Sequence, residues 1–235
     1  MEKIIHRADS RGGGNFDWLS TRHSFSFAQW YDPARMGFGA LRVLNDDKVA
    51  PASGFGMHAH SDMEIITIVM EGTVTHTDSM GNSFEVPAGD VQVMSAGTGV
   101  KHSEENASPS EPLEFFQIWI EPNVQGSAPR YAQKSFGLGD TPGLTTIVGP
   151  DETEGALAIQ QEAYISHAVV DGDNPLVVTL KDPSHGAYIF VIKGSVSVMD
   201  EELEARDAMG ISGVSKITLS TKDQSSLLII EVPLK

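Results

Sequence analysis

The sequence predicts an all-β protein built from two β barrels in tandem. Short runs rich in β-branched and aromatic residues alternate with turn signals, a pattern typical of β sandwiches and barrels. No segment keeps an apolar period of 3.6 residues over three turns, so long helices are not expected. In addition, residues 68–75 resemble residues 190–197, which indicates that one β unit occurs twice.

Composition narrows the classes of function. The chain has 235 residues, of which 40% are hydrophobic, enough for a packed core. It has no cysteine, which excludes disulfides, thiolate metal ligands and thiol nucleophiles. The net charge of −16 disfavours direct binding to nucleic acids or anionic membranes. No secretory-type apolar stretch occurs in residues 1–30, and no apolar run reaches 18 residues, so we expect a cytoplasmic protein and treat it as a monomer.

The predicted strands follow one another closely. Residues 23–33 predict a strand that ends in a turn, and residues 41–44 predict a short strand closed by residues 45–47. We interpret Asp46-Asp47 and Glu201-Glu202 as solvated charges in turns. Further strands are predicted between recurrent turn signals, at 65–70, 73–77, 91–94 and 113–120.

The internal repeat sets the domain organisation. Gly72 corresponds to Gly194 at an offset of 122, and Gly89-Asp90 corresponds to Arg206-Asp207 at an offset of 117. The repeat predicts a hairpin at 201–208, although the composition there also suits a helix. We place the boundary in the Pro/Gly-rich stretch 122–143. The predicted domains are residues 1–132 and 133–235.

Four side chains could form a metal site in the first unit. His58 and His60 lie two residues apart, so on a strand both imidazoles project from one face. His102 and Glu104 repeat this spacing on a later strand. A lone His-x-His pair is more often an ordinary hydrogen-bonded pair, but two such pairs on neighbouring strands could make a cluster. Three histidines and a carboxylate suit a divalent transition metal.

The repeat predicts that the second unit lacks this ligand set. The two offsets project the four candidate ligands onto other residues of the second unit, namely Leu180, Asp182, Leu219 and Thr221. The second unit is therefore expected to be structural.

Two motifs resemble those of the cupin superfamily. The first comprises Gly54, His58-x-His60, Glu64 and Gly72, and the second comprises Gly89, Ser95-Ala-Gly97, His102 and Asn106, with Ser95 where many cupins have proline. Within that superfamily the chain resembles the pirin family. The segments that carry this closer resemblance are 23–27, 54–60, 76–81, 94–104, 117–120 and 129–131.

The resemblance implies a bicupin, with two jelly-roll domains of the double-stranded β-helix type and metal only in the N-terminal one. Pirin ligands match His58, His60, His102 and Glu104, whereas many other cupins take the carboxylate from the position of Glu64. Strand parity leaves both glutamates open. The resemblance favours Glu104, which would make Glu64 a carboxylate near the metal or in the pocket.

The resemblance also implies a function. Some bacterial pirins act as quercetin 2,3-dioxygenases. We therefore expect one divalent transition metal ion, Fe²⁺ first, with Mn²⁺, Co²⁺, Ni²⁺, Cu²⁺ and Zn²⁺ as alternatives. A flavonol-like aromatic substrate would bind the open metal position through its hydroxyl, and Glu104 would act as general base before O₂ opens the ring and carbon monoxide leaves.

Two other hypotheses stay open. The protein could be a metal-dependent regulatory module, as eukaryotic pirins are thought to be with transcription factors, and its acidic surface would suit a basic protein partner. Alternatively, it could bind a small molecule beside a spectator metal.

The remaining histidines and large aromatic residues are expected to have structural rather than catalytic roles. His76 is either a pocket residue or, as we favour, a hydrogen-bonding partner within its own hairpin. The other unpaired histidines are expected to be surface or structural residues, namely His6, His23, His167 and His185. Four large aromatics are expected in the core, namely Trp30, Phe115, Phe116 and Trp119.

Overall fold

The strands form two similar units along the chain. The computed structural model describes residues 1–172 and 174–234. The first twelve strands are β1 Glu2–His6, β2 Gly12–Asn15, β3 Leu19–His23, β4 Leu41–Val49, β5 Gly54–His60, β6 Glu64–Glu71, β7 Thr73–Asp78, β8 Ser83–Pro87, β9 Asp90–Ser95, β10 Val100–Asn106, β11 Leu113–Ile120 and β12 Arg130–Ser135. The others are β13 Gly143–Gly149, β14 Leu157–Ala158, β15 Tyr164–Val170, β16 Leu176–Thr179, β17 His185–Lys193, β18 Ser195–Val198, β19 Glu201–Glu204, β20 Ala208–Ser212, β21 Lys216–Ser220 and β22 Ser225–Pro233.

The all-β prediction is confirmed. Within the described residues, the helical elements are two single 3₁₀ turns at Ala8–Ser10 and Thr153–Gly155, and no helix has the length and apolarity to cross a bilayer. Each unit pairs a seven-stranded sheet with a four-stranded sheet. The orders in the first unit are β12-β9-β6-β11-β4-β3-β2 and β5-β10-β7-β8. Those in the second unit are β1-β20-β17-β22-β15-β13-β14 and β16-β21-β18-β19.

A shared apolar core joins the two units. It contains Phe116 and Ile118 of β11 together with Phe190 of β17 and Ile230 of β22. The residues between them on β11, such as Gln117, project to the opposite face because side chains alternate along a strand. Both faces of β11 are therefore covered, which explains its nearly continuous apolar sequence.

The internal repeat is confirmed by backbone geometry. Gly72 and Gly194 both have a positive φ, of 79° and 84°, at the same hairpin of each unit. The Gly89 amide donates to the carbonyl of Val69, and the Arg206 amide donates to the carbonyl of Val191. Val69 and Val191 are themselves 122 residues apart. The segment after Glu201 is a strand paired with β18, as the repeat predicted.

The strand register moves the projected ligand positions by two residues. Glu104 pairs with His76, and Leu219 pairs with the equivalent of His76, Val198. The remaining strand pairs of the two units can be matched in the same way. The equivalents of the four candidate ligands are then Val178, Leu180, Ile217 and Leu219. All four equivalents are buried apolar residues of one core cluster. All four projected equivalents were therefore two residues too far along the chain, but the expected loss of ligands stands because the true equivalents carry hydrocarbon side chains.

Two strand predictions near the N-terminus were wrong. β3 ends at His23, where the sequence predicted a strand to begin, and the segment after it is irregular. β4 does not close at 45–47 but continues to Val49. Asp46 and Asp47 therefore lie inside a strand, where Asp46 forms ion pairs with Arg11 and Arg206.

For the second acidic pair only the turn assignment was wrong, because Glu202 is exposed as expected and Glu201 is partly exposed. Glu201 and Glu202 lie on β19 rather than in a turn. Glu201 forms an ion pair with Lys3 at 2.7 Å, and Glu202 accepts a hydrogen bond from Ser197.

Two strands pair with the unit on the other side of the predicted boundary, wholly or in part. β1 pairs with β20 in the sheet of the second unit, and β12 pairs with β9 in the sheet of the first. The first few residues thus belong with the second barrel by pairing, and residues 133–135 belong with the first. The division at 132/133 stays a prediction.

Candidate metal centre and cavity

Three histidines converge on the first barrel's four-stranded sheet. His58 and His60 lie on β5, and His102 lies opposite His58 on the neighbouring strand β10. Their ring centroids are 4.5–4.9 Å apart. One ring nitrogen from each lies within 4.8 Å of the others. The predicted convergence of these three imidazoles is what the structure shows.

Neighbouring groups leave these imidazoles ready to act as ligands. The Nδ1 of His58 lies 2.8 Å from the carbonyl oxygen of Gly56, so Nδ1–H donates there and Nε2 keeps its lone pair. Burial lowers the pKa of His60 to about 4 and that of His102 to about 3, with the neighbouring histidines acting in the same direction. Both rings are therefore neutral near pH 7, the form that binds a metal.

Glu104 is buried and held by three neutral donors. Its Oε1 accepts hydrogen bonds from the Thr67 hydroxyl and the Gln92 amide, both at 2.6 Å. Its Oε2 accepts one from the Gln117 amide, also at 2.6 Å. Among the described residues no Lys or Arg forms an ion pair with this carboxylate. A buried carboxylate without a cationic partner is costly unless a cation is supplied.

Glu64 lies elsewhere. It accepts a 2.6 Å hydrogen bond from the Ser95 hydroxyl and another from the backbone amide of Gln160. Burial raises the pKa of Glu64 above its usual range. In the described part of the chain it belongs neither to the histidine cluster nor to the cavity lining. The expectation that Glu64 would be a pocket carboxylate was wrong, because β6 turns this side chain toward the second unit.

His76 has the favoured hairpin role and does not line the cavity. Its Nε2 lies 3.2 Å from an Asp78 carboxylate oxygen within the same hairpin, as favoured. The ring also stacks on Tyr131 at 4.5 Å, and a ligand atom of His76 lies within 4.8 Å of those of His102 and Glu104. His76 thus connects the three-histidine cluster to Glu104.

These residues fit a divalent metal ion. Both ring nitrogens of His102 are buried and have no hydrogen-bond partner among the described residues, and the same holds for Nδ1 of His76. Buried polar atoms are rarely left unsatisfied unless an ion or water completes them. The donor set of imidazoles plus one carboxylate is typical of catalytic transition-metal sites. That His58, His60, His102 and Glu104 form the ligand set stays a prediction.

A cavity of about 500 Å³ opens beside His58 and Glu104. This volume falls in the range of small-molecule sites. Five large aromatic side chains line it, namely Phe16, Phe27, Trp30, Phe55 and Trp119. Phe115 and Phe116 are core residues as expected, but Trp30 and Trp119 are half-buried cavity residues. Trp119 also packs edge-on against His60.

Several polar residues of the cavity were not predicted from the sequence. His23, Asn45 and Asp47 are each at least nine-tenths buried and line the cavity wall. The sequence predicts a structural role for His23 and a solvated turn charge for Asp47, whereas both line the cavity. The alternation of β4 from Val43 to Val49 carried the signal, because it places the odd-numbered residues of that stretch on one face. The other three histidines are structural as expected, though buried, with partners Tyr188 for His6, Ser226 for His167 and Glu231 for His185.

Burial raises the pKa of Asp47 to about 7, with the nearby Asp46 and Glu104 acting in the same direction and the Thr21 hydroxyl opposing them. The folded protein therefore binds a proton more tightly here than the unfolded chain does, so stability falls as pH rises from about 4 to about 7. We expect Asp47→Asn to remove this loss and to gain at most about 4 kcal/mol relative to wild type between pH 4 and pH 8. Urea unfolding at several pH values measures the difference.

Asp46→Asn is the matched control for this prediction. It removes the neighbouring carboxylate from its ion pairs with Arg11 and Arg206, so it should cost stability at both ends of the pH range. An equal effect of Asp47→Asn at pH 4 and pH 8 would contradict the assignment.

The fold and the site together define a class. Two tandem barrels of this kind, one carrying clustered histidines and the other hydrocarbon at the same positions, make up a bicupin. Comparisons with known proteins identify the family.

The family model named Pirin matches residues 5–120, and the model for the quercetinase C-terminal cupin domain matches residues 146–232. The chain belongs to the pirin family.

Close relatives align with nearly the whole chain. The quercetin 2,3-dioxygenase of Escherichia coli K12 is 41% identical over 97% of this chain and 98% of its own length. A pirin-like protein of Caulobacter vibrioides is 42% identical over 95% of this chain and 96% of its own. The solved structure of the Escherichia coli bacterial pirin YhhW in complex with nickel(II) is 39% identical, covers both chains fully and superposes with a TM-score of 0.94.

Proposed function

We propose that this protein is a metal-dependent dioxygenase of the quercetin 2,3-dioxygenase type. The supporting observation is the position of the histidine cluster and of Glu104 at an aromatic-lined cavity, where this buried carboxylate has no Lys or Arg ion pair within the described residues. The relatives named quercetin 2,3-dioxygenase support the same reaction class. The substrates are a small flavonol-like aromatic and O₂.

Different residues would bind the metal, accept the substrate proton and hold the substrate. His58, His60, His102 and Glu104 would hold the ion. A divalent transition metal supplies Lewis acidity that lowers the pKa of a substrate hydroxyl. Glu104 accepts the hydroxyl proton at Oε2, which receives a hydrogen bond from Gln117 alone in the described structure, whereas Oε1 already receives two. The aromatic walls hold the planar substrate and exclude water while O₂ opens the ring and carbon monoxide leaves.

Fe²⁺ is the first proposal for the metal. The ligand set also suits the other first-row divalent ions, since imidazole and carboxylate donors do not distinguish them by softness. Ni²⁺ stands next to Fe²⁺ because a related bacterial pirin binds nickel(II) in its solved structure.

Metal removal provides the direct test. We expect chelated protein to lose quercetin turnover and to regain it when Fe²⁺ or Ni²⁺ is added back. Quercetin absorbance, O₂ uptake and carbon monoxide release measure the reaction together. Because quercetin oxidises slowly by itself, His58→Ala loaded in the same way is the background control. Equal rates for wild type and His58→Ala would overturn the proposal.

A regulatory role is the second candidate, and the net charge of −16 favours it because a basic protein partner would be attracted. Capture of such a partner only by metal-loaded protein, without turnover of any polyphenol, would select this candidate. Equal flavonol binding with and without metal would instead indicate a small-molecule binder with a spectator ion.

A further inference from the structure

The cavity has a second polar region away from the metal cluster. Gln117 of β11, which holds Glu104, pairs directly with Asn45 of β4, and Asn45 pairs directly with His23 of β3. Directly paired residues project from the same face of a sheet. Neighbouring strands lie about 4.8 Å apart, so His23 lies roughly 10 Å from Gln117 along this row. Asp47 is two residues from Asn45 and shares the same face.

Polar atoms in this region lack partners. Among the described residues, His23 Nδ1, Asn45 Oδ1 and Asp47 Oδ1 have no hydrogen bond, although all three are buried. Each residue lines the cavity, as do the apolar side chains of Phe27 and Trp30. Buried polar atoms cost free energy unless a ligand or water satisfies them. Two of the three are acceptor oxygens, so a complementary ligand presents hydroxyl donors.

We propose that His23, Asn45 and Asp47 form a specificity-determining subsite for substrate hydroxyl groups other than the one at the metal. The inference rests on the proposed function and specifies its substrate. The ligand class is a rigid planar aromatic of two or three rings, with one hydroxyl at the metal cluster and others at the subsite. Phe27 contacts His23 and Trp119, and Trp119 contacts His60, so aromatic side chains lie between the subsite and the cluster.

A matched pair of ligands tests the subsite. 3-Hydroxyflavone carries only the hydroxyl that is placed at the metal, whereas quercetin adds hydroxyls to both outer rings. Binding is measured by calorimetry on the full metal-loaded chain without O₂, so that no turnover occurs. We expect wild type to bind quercetin about 10-fold more tightly than 3-hydroxyflavone, as a hydrogen bond to a charged or buried acceptor provides.

Variants separate recognition from folding. Asn45→Leu and Asp47→Leu should each reduce the preference for quercetin to within about threefold of unity, chiefly by weakening quercetin binding. Asp47→Asn keeps an acceptor and should retain most of the preference. Ser95→Ala is the control, because Ser95 bonds Glu64 outside the cavity lining.

The outcomes are distinct from those of the function test. A quercetin preference that persists in both leucine variants, or that is absent from wild type, would overturn the subsite. Failure of the subsite would not change the turnover of quercetin. Conversely, if the protein did not turn over quercetin, the ratio of the two binding affinities could still be measured. If one leucine variant fails to fold, the other still decides the question.

Discussion

His102→Ala is expected to abolish metal binding and activity while leaving the fold intact. His102 is the central imidazole of the cluster, since it lies close to His58, His60 and His76. Loss of a partner behind a ligand commonly costs 10- to 100-fold in metal affinity, so loss of the ligand should cost at least about 100-fold. Folding should survive, because both nitrogens of this ring lack a protein hydrogen bond in the described structure.

Elemental analysis after dialysis measures the metal per chain, and quercetin-dependent O₂ uptake measures activity. His167→Ala is the matched control, because His167 is a similarly buried histidine that bonds Ser226 in the second barrel. The control should keep both metal and activity. Full metal occupancy in His102→Ala would refute the assignment of His102 as a ligand.

Glu104→Gln is expected to lower kcat by about 10²- to 10⁴-fold at saturating metal, the range that a general base contributes. Glutamine has nearly the same shape, but it cannot accept the substrate proton. It also places an amide donor among the donors Thr67, Gln92 and Gln117, so one of these groups must reorient. Metal affinity should fall as well, because the anionic ligand is lost.

Glu64→Gln gives the matched comparison. It makes the same change in a buried glutamate that bonds Ser95 outside the cluster. We expect kcat to stay within a fewfold of wild type. A large loss in Glu64→Gln with a small loss in Glu104→Gln would reverse the roles of the two carboxylates. Steady-state kinetics across metal concentrations separates weaker metal binding from slower chemistry.

Local patterns carried much of the prediction. Turn signals and the absence of helical periodicity predicted an all-β chain, and the glycines at 72 and 194 marked the repeat. Both glycines have a positive φ, which glycine adopts at little cost. The histidine spacings predicted which imidazoles would meet, because side-chain direction alternates predictably along a strand.

The predictions failed where a local pattern is compatible with more than one structure. The Asn-Asp-Asp sequence at 45–47 resembles a turn, yet the strand continues through it because Asn45 and Asp47 face a polar part of the cavity. Offsets measured at hairpins also failed at the projected ligand positions, because the connections between the long strands and the ligand-bearing strands differ by two residues in the two units.

By itself, the sequence determined the strand content, the duplication and the three histidines, since each depends on residues close together in the chain. Only the tertiary structure decided that Glu104, rather than Glu64, faces the cluster. It also decided that His23, Asn45 and Asp47 line the same cavity. The physical reason is strand pairing. The register between β3, β4 and β11 joins residues nearly a hundred positions apart, and no local pattern encodes that register.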